Sequence, residues 1–233
     1  MGYELNVYPE NIEQLPLPIS DLAAQSPIIE SVETLLKLNH CEATIEATFN
    51  DLLNKFGFSR TNTLSHFYPN NPVEVGIDVV NSQNFDEPEL LRKFSVDIEG
   101  NFLVLTDDGE TTIYKICFSN RETLFFFFLS IKRFLAGSNK RQYNDLLDAI
   151  EIPIFAPNRL VNAEKITALM SVLGSWHQEA MGKELRDCPV KSLDLAKFES
   201  LKGTISREID RAVYKMFNLT EQEISQIERA RNC

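Results

Sequence analysis

Ser119-Asn120-Arg121-Glu122-Thr123-Leu124-Phe125-Phe126-Phe127-Phe128-Leu129-Ser130-Ile131 is the stretch that decides the architecture. Ser119 and Glu122 have the spacing of a capping box, in which each side chain satisfies an orphan backbone N–H of the other, so a helix opens here and runs to about Gly137. A surface helix keeps one polar face; the unbroken apolar run Leu124 to Leu129 keeps none. Such a helix is buried on nearly every side and forms the centre of the core. The run is too short to be a membrane span, which needs about 20 apolar residues.

The residues just before this helix supply a sheet. Phe94, Val96 and Ile98 alternate with polar residues, Gly100-Asn101 turns the chain, and Phe102 to Leu105 continues. Asp107-Asp108-Gly109 turns it again, and Thr112 to Phe118 closes a three-stranded antiparallel meander. Upstream, Pro27 suits the first turn of a helix bearing Ile28, Val32, Leu35 and Leu36. A second helix is predicted over 42–56, ended by Gly57; 59–90 is rich in Asn and Pro and reads as irregular, with one short strand near Val73 to Val80. Downstream, Ile152-Pro153-Ile154-Phe155 echoes Leu15-Pro16-Leu17-Pro18 as a proline turn feeding a helix, with Asn162 as its cap. Residues 183–203 read as a polar connection broken at Pro189 and Gly203, before a closing helix pair. The expectation is an α+β fold, mostly helical, with a small antiparallel meander and a C-terminal helix-corner-helix. Its segments are 1–57, 58–148 and 149–233, the first and last forming one compact unit.

The closing pair reads Glu208-Ile209-Asp210-Arg211-Ala212-Val213-Tyr214-Lys215-Met216-Phe217-Asn218-Leu219-Thr220-Glu221-Gln222-Glu223-Ile224. Ile205, Ile209, Ala212, Val213, Met216 and Phe217 share a helical face, and Asn218 suits the left-handed conformation that ends a helix. Thr220 with Glu223 forms a capping box, and Leu219 with Ile224 a hydrophobic staple. Near the other terminus, Ile12-Glu13-Gln14-Leu15-Pro16-Leu17-Pro18-Ile19 leads into Pro27-Ile28-Ile29-Glu30-Ser31-Val32-Glu33-Thr34-Leu35-Leu36. These two segments together resemble the C-terminal specificity region of adenine-specific DNA methyltransferases and type IIG restriction-modification enzymes. There a Leu-Pro-x-Pro turn leads into a helix and a Leu-Thr-Glu-Glu-Glu-Ile corner closes the region; this chain departs in having Asn218 where the family usually has Gly. The resemblance implies a target-recognition segment acting on double-stranded DNA together with a catalytic methyltransferase or endonuclease chain. It assigns Leu15, Pro16, Pro18, Ile28, Val32, Ile209, Val213, Tyr214, Leu219, Thr220, Glu223 and Ile224 to scaffold or docking.

Catalytic machinery is not legible. No Gly-rich turn follows a strand to bind a methyl donor, and Asn70-Asn71-Pro72-Val73 lacks the second proline and the aromatic of the family's catalytic turn. None of the 12 lysines has an acid two residues before it, the pattern of common metal-dependent restriction nucleases. His40, His66 and His177 show no metal-ligand spacing, and neither cofactor nor metal is expected. Cysteines 41, 117, 188 and 233 are widely spaced, with no Cys-x-x-Cys pair, which predicts free thiols in a cytoplasmic protein.

The net charge is −11, whereas an autonomous duplex-binding domain is usually basic. One interval runs against this balance: no acid lies between Glu122 and Asp145. Lys132, Arg133, Lys140 and Arg141 lie there, with Gln142 and Asn144. Lys and Arg hold phosphates, while Arg, Gln and Asn can read base edges, so these six are the candidate DNA contacts. The alternative is an acidic, non-enzymatic interaction protein that binds a protein partner. Neither reading involves a membrane.

Overall fold

The computed structural model describes residues 22–67, 77–82, 89–90, 94–107, 111–137, 142–143 and 146–231. In chain order these form α1 (Leu22–Lys55), β1 (Arg60–Thr63), α2 (Leu64–Phe67), β2 (Ile77–Ser82), β3 (Glu89–Leu90), β4 (Ser95–Glu99), β5 (Phe102–Asp107) and β6 (Thr111–Phe118). There follow α3 (Arg121–Gly137), β7 (Gln142–Tyr143), α4 (Leu146–Ala149), β8 (Glu151–Ile154), α5 (Arg159–Ala180), α6 (Leu195–Met216) and α7 (Glu221–Arg231). The fold is α+β and mostly helical.

The polyphenylalanine helix α3 is the hub, with every residue from Leu124 to Ile131 buried. Successive side chains on a helix point about 100° apart, so consecutive phenylalanines reach different neighbours. Phe126 meets Phe49 of α1 edge-on at 5.6 Å and Phe58 at 5.5 Å. Phe127 meets Phe67 of α2 edge-on and Phe118 of β6, each at 5.2 Å. Ser130, the one hydroxyl in the run, donates to the Phe126 carbonyl at 2.7 Å and so needs no other partner. The helix is capped by Asn120, whose Oδ1 accepts from the Thr123 N–H at 2.9 Å; the cap therefore falls one residue after the expected Ser119.

The meander is present as β4-β5-β6, and β2 extends it to four antiparallel strands in the order β2-β6-β5-β4. Phe102 lies opposite Glu99 in the β4–β5 pair and opposite Cys117 in the β5–β6 pair. Two further two-stranded sheets, β1–β8 and β3–β7, stitch distant segments together. The first replaces the expected second proline turn: Ile152-Pro153-Ile154 is strand, with Pro153 opposite Thr61. A two-stranded ribbon has only edge strands, where a residue without an N–H is tolerated.

Four other boundaries differ from the sequence reading. α1 is one continuous helix through the expected break at 37–41, because Leu38, Cys41, Ile45, Phe49, Leu52 and Leu53 carry one buried face along it. It also begins before Pro27, which lies inside it. α5 is capped by Asn158, which accepts from the Leu160 N–H at 3.0 Å. Asn162 is instead 4 % exposed and ties the turn ahead of that helix, accepting from the Phe155 and Ala156 N–H groups at 2.7 and 3.1 Å and donating to the Ala156 carbonyl at 2.6 Å. The supposed connection over 183–203 is shorter, since α6 already starts at Leu195 and carries Gly203 within it. Residues of all three sequence segments share one hydrophobic core. Among the described residues no helix is long and apolar enough to cross a membrane.

Two outcomes follow from this packing. Phe126→Ala removes a ring that is 0 % exposed and touched from two sides, and is expected to lower stability by about 3–5 kcal/mol in urea unfolding. His177 of α5 is 0 % exposed, neither ring nitrogen has a hydrogen-bond partner among the described residues, and burial pushes its pKa below the ordinary 6.5. It stays neutral in the fold and takes up a proton more readily when unfolded, so its effect on stability is absent above 6.5 and grows unfavourable as pH falls below it. His177→Leu should raise stability by about 1–2 kcal/mol and flatten the pH dependence below 6.5. Urea midpoints at a series of pH values check both signs.

Candidate functional site

Of the six candidate DNA contacts, the structure describes Lys132, Arg133 and the backbone of Gln142; Lys140, Arg141 and Asn144 lie outside the described residues. Arg133 is exposed on α3. Gln142 pairs through β7 with Leu90 of β3. Lys132 faces the other way, into a cluster of charges that joins α1, α3 and α6.

Glu42 on α1 is at the centre of that cluster, with only 7 % of its side chain exposed. It accepts from Lys132 Nζ at 2.5 Å and from Lys202 Nζ of α6. Lys132 also lies 3.2 Å from Glu46 and 3.4 Å from Glu199, and stands over the Phe128 ring at 5.2 Å. Glu199 lies 3.8 Å from Lys202. A buried charge is tolerated only when paired and hydrogen-bonded, and here two ammonium groups serve three carboxyl groups. The imbalance raises the cost of ionising one carboxyl, that of Glu199. Burial, with Glu42 as hydrogen-bond acceptor and like charge, pushes Glu199 up to about 7. For Glu42, burial pulls upward but is outweighed by the Glu199 hydrogen bond and the two lysines, which bring it down to about 2. Burial also raises Asp97 of β4, which feels the same lysines.

Beside the cluster lies an open cavity of about 630 Å³, lined in part by Asp97, Glu99, Arg121, Asp194, Lys197 and Glu199. Arg121 closes one side through a 2.6 Å ion pair with Asp194, the residue that caps α6. The arrangement can hold and release one proton near neutrality between α1 and α6. Among the described residues no group of three or more His, Cys, Asp or Glu side chains could hold a metal ion.

The residues assigned to docking are described at the C-terminal corner; Leu15, Pro16 and Pro18 lie outside the described residues. Asn218 takes a φ of 52°, the left-handed conformation expected of it. Its N–H donates to the Lys215 carbonyl at 3.1 Å and that of Leu219 to the Tyr214 carbonyl at 3.0 Å, the paired bonds of a Schellman end. Thr220 and Glu223 form the capping box, with the Thr220 N–H and hydroxyl donating to Glu223 Oε2 at 2.8 and 2.7 Å. These hydrogen bonds hold Glu223 below its ordinary range. Tyr214, Leu219 and Ile224 are half-buried, whereas Phe217 and Ile227 are each 42 % exposed. On α1, Ile29, Val32 and Leu36 are 48, 38 and 63 % exposed and recur at helical spacing, with exposed Glu30 and Glu33 among them. α1 and α6 pack along each other.

Sequence reasoning missed Glu42, Glu199 and Lys202. Glu42 left a signal, a carboxylate inside the apolar run Leu38-Cys41-Ile45-Phe49; Glu199 left none, because its helix was read as a connection. Comparison with known protein families, with curated proteins and with solved structures finds no match.

The proton on Glu199 gives a testable sign. Its folded pKa of about 7 lies above the ordinary 4.5, so its contribution is fully present below 4.5 and is lost as pH rises through 7. Glu199→Gln keeps a donor to Glu42 but cannot ionise. The variant should match the wild type at about pH 5 and exceed it by about 1–2 kcal/mol at about pH 8 in urea unfolding. Equal losses at both pH values would show that Glu199 is ionised throughout.

Proposed function

We propose that this chain is a non-catalytic binding subunit that docks a basic protein partner through the exposed apolar stripe of α1 and the α6–α7 corner. One observation carries the reading. Of the seven large hydrophobic side chains exposed among the described residues, Ile29, Val32, Leu36 and Phe217 fall within the two segments that resemble the specificity region, and Ile227 lies just beyond. An apolar centre with a charged rim is the anatomy of a protein interface. Around it the exposed acids Glu30 and Glu33 on α1 and Glu221, Glu223 and Glu228 on α7 outnumber the exposed bases Lys37, Arg211 and Lys215. Together with the net charge of −11, this favours a partner of opposite sign.

The resemblance supplies the identity of that partner in this proposal: the catalytic chain of an adenine-specific DNA methyltransferase or restriction enzyme. This subunit then adds target recognition to a DNA cleft whose phosphate contacts come mostly from the catalytic chain. Arg133 is the described candidate for a DNA contact, with Lys140 and Arg141 beyond it in sequence. Lys132, enclosed by carboxylates, serves the scaffold. That enclosure also favours the second reading, an acidic protein that binds the same partner without touching DNA.

A two-step assay separates the readings. Binding of a methyltransferase encoded beside this chain is measured by calorimetry, and duplex DNA is then offered to each protein and to the mixture at low salt. The proposal expects binary protein binding, weakened at least tenfold by Val32→Asp or Phe217→Asp, and a DNA shift by the mixture that Arg133→Ala or the pair Lys140→Ala and Arg141→Ala reduces. Protein binding with no dependence of the DNA shift on those cations selects the second reading. Unchanged affinity in both Asp variants overturns the docking surface.

A further inference from the structure

A helix lying on a core turns one line of side chains straight out to solvent, and polar residues are expected along it. On α1, a helix of 34 residues, that outward line reads Ile29, Val32, Leu36, Asn39, Ala43 and Ala47. All six are exposed, Leu36 at 63 %. Their spacing alternates between three and four residues as far as Ala43, which is the heptad seam along which two helices pack knobs into holes. The seam runs about 27 Å by the rise of a helix, and its alanine end leaves room for a second backbone to come close. Asn39 is a polar residue at a core position, of the kind that sets the register of a helix pair. One flank of the seam is charged in a definite order: Glu30 and Glu33 come first, then Lys37 and His40, all four exposed. The other flank turns inward, with Leu35 against the core and Glu42 bound to Lys202 of α6.

We infer that this seam is an interface between two copies of the chain, paired antiparallel through α1 about a twofold axis near Leu36. Such a contact is isologous, setting residue i of one copy against j of the other and j against i. With the axis there, Leu36 meets Leu36, Val32 meets Asn39 and Ile29 meets Ala43. In an antiparallel pair each flank faces its own counterpart, reversed in direction. Glu33 of one copy then lies against Lys37 of the other and Glu30 against His40, and the twofold repeats both contacts. Parallel pairing would instead set carboxylates against carboxylates. A segment laid on this seam meets acids and then bases, and α1 run backwards presents the complementary order. The contact is smaller than a standard interface of about 800 Å² per partner, so association is expected in the micromolar range. It covers the α1 half of the docking surface proposed above, so a second copy and the catalytic chain compete there. The pairing needs no other protein, and its test is therefore separate from that reading.

Sedimentation equilibrium is run on the full chain alone from roughly 1 to 200 µM, a range that brackets a micromolar Kd. The expected result is a rise from monomer to dimer mass. Leu36→Asp should weaken association by about tenfold or more, and so should Glu30→Lys with Glu33→Lys, or Lys37→Glu with His40→Glu. An equal mixture of the two charge variants should associate about as well as the wild type, because each supplies the signs the other lacks. All these positions are exposed, and circular dichroism checks that the variants are folded. A wild type that stays monomeric throughout overturns the inference, as does association that persists in Leu36→Asp or in either charge variant alone. A second measurement needs no variant: wild-type chains, half of them isotopically labelled, are joined by a carbodiimide and mapped by mass spectrometry. Links between copies from Lys37 to Glu30 or Glu33 are expected, and a dimer carrying none of them overturns the antiparallel pairing.

Discussion

Phe126 and Phe127 are neighbours in sequence, but one packs on α1 and the other between α2 and the sheet. That divergence is the consequence of winding a continuous apolar run into a helix, and it obliges other elements to cover α3 on all sides. The sheet covers it through β4, β5 and β6, and the helices through α1 and α5. The ribbon β1–β8 brings residues from before and after the helix alongside it. Each of these layers is amphipathic enough to present one buried face to the hub.

Packing around a buried hub leaves a problem at its polar end. Where α3 turns from Ile131 to Lys132, the ammonium group emerges between α1 and α6 and is met there by Glu42, Glu46 and Glu199. Lys202 then offsets part of the surplus of carboxylates, and the surplus pushes the Glu199 carboxyl upward. A single lysine thus fixes the relative placement of three helices. Replacing such a cluster with apolar side chains can be neutral or stabilising, but removing one member leaves an uncompensated charge.

The same geometry leaves part of the apolar surface uncovered. α1 buries its face through Leu38, Cys41, Ile45 and Phe49, while its first half leaves Ile29, Val32 and Leu36 outside. The C-terminal corner behaves similarly: its backbone is fully specified by Asn218, Thr220 and Glu223, yet Phe217 and Ile227 remain exposed. Local hydrogen bonds therefore fix the corner's shape without requiring tertiary contact.

The meander, the buried helix and the helix-corner-helix were legible in the sequence because each is dictated by neighbours within a few residues. Alternation makes strands, Gly and Asp turn them, and an asparagine followed by Thr-x-x-Glu ends one helix and starts another. The sequence also carried the charge deficit that sets Arg133 and its neighbours apart. It did not show that α1 is unbroken, because the helix through Leu36 and the one over 42–56 read as separate until Leu38 and Cys41 are seen to share a face with Ile45. Nor did it distinguish Asn158 from Asn162 as a cap, since the two lie one turn apart and only the structure shows that Asn162 is already inside the helix. The pairing of Lys132 with Glu42 and of Glu42 with Lys202 was decided by tertiary structure alone. Residues so remote in the chain meet only after three helices close around α3, and no local preference of the backbone records which side chains will face each other there.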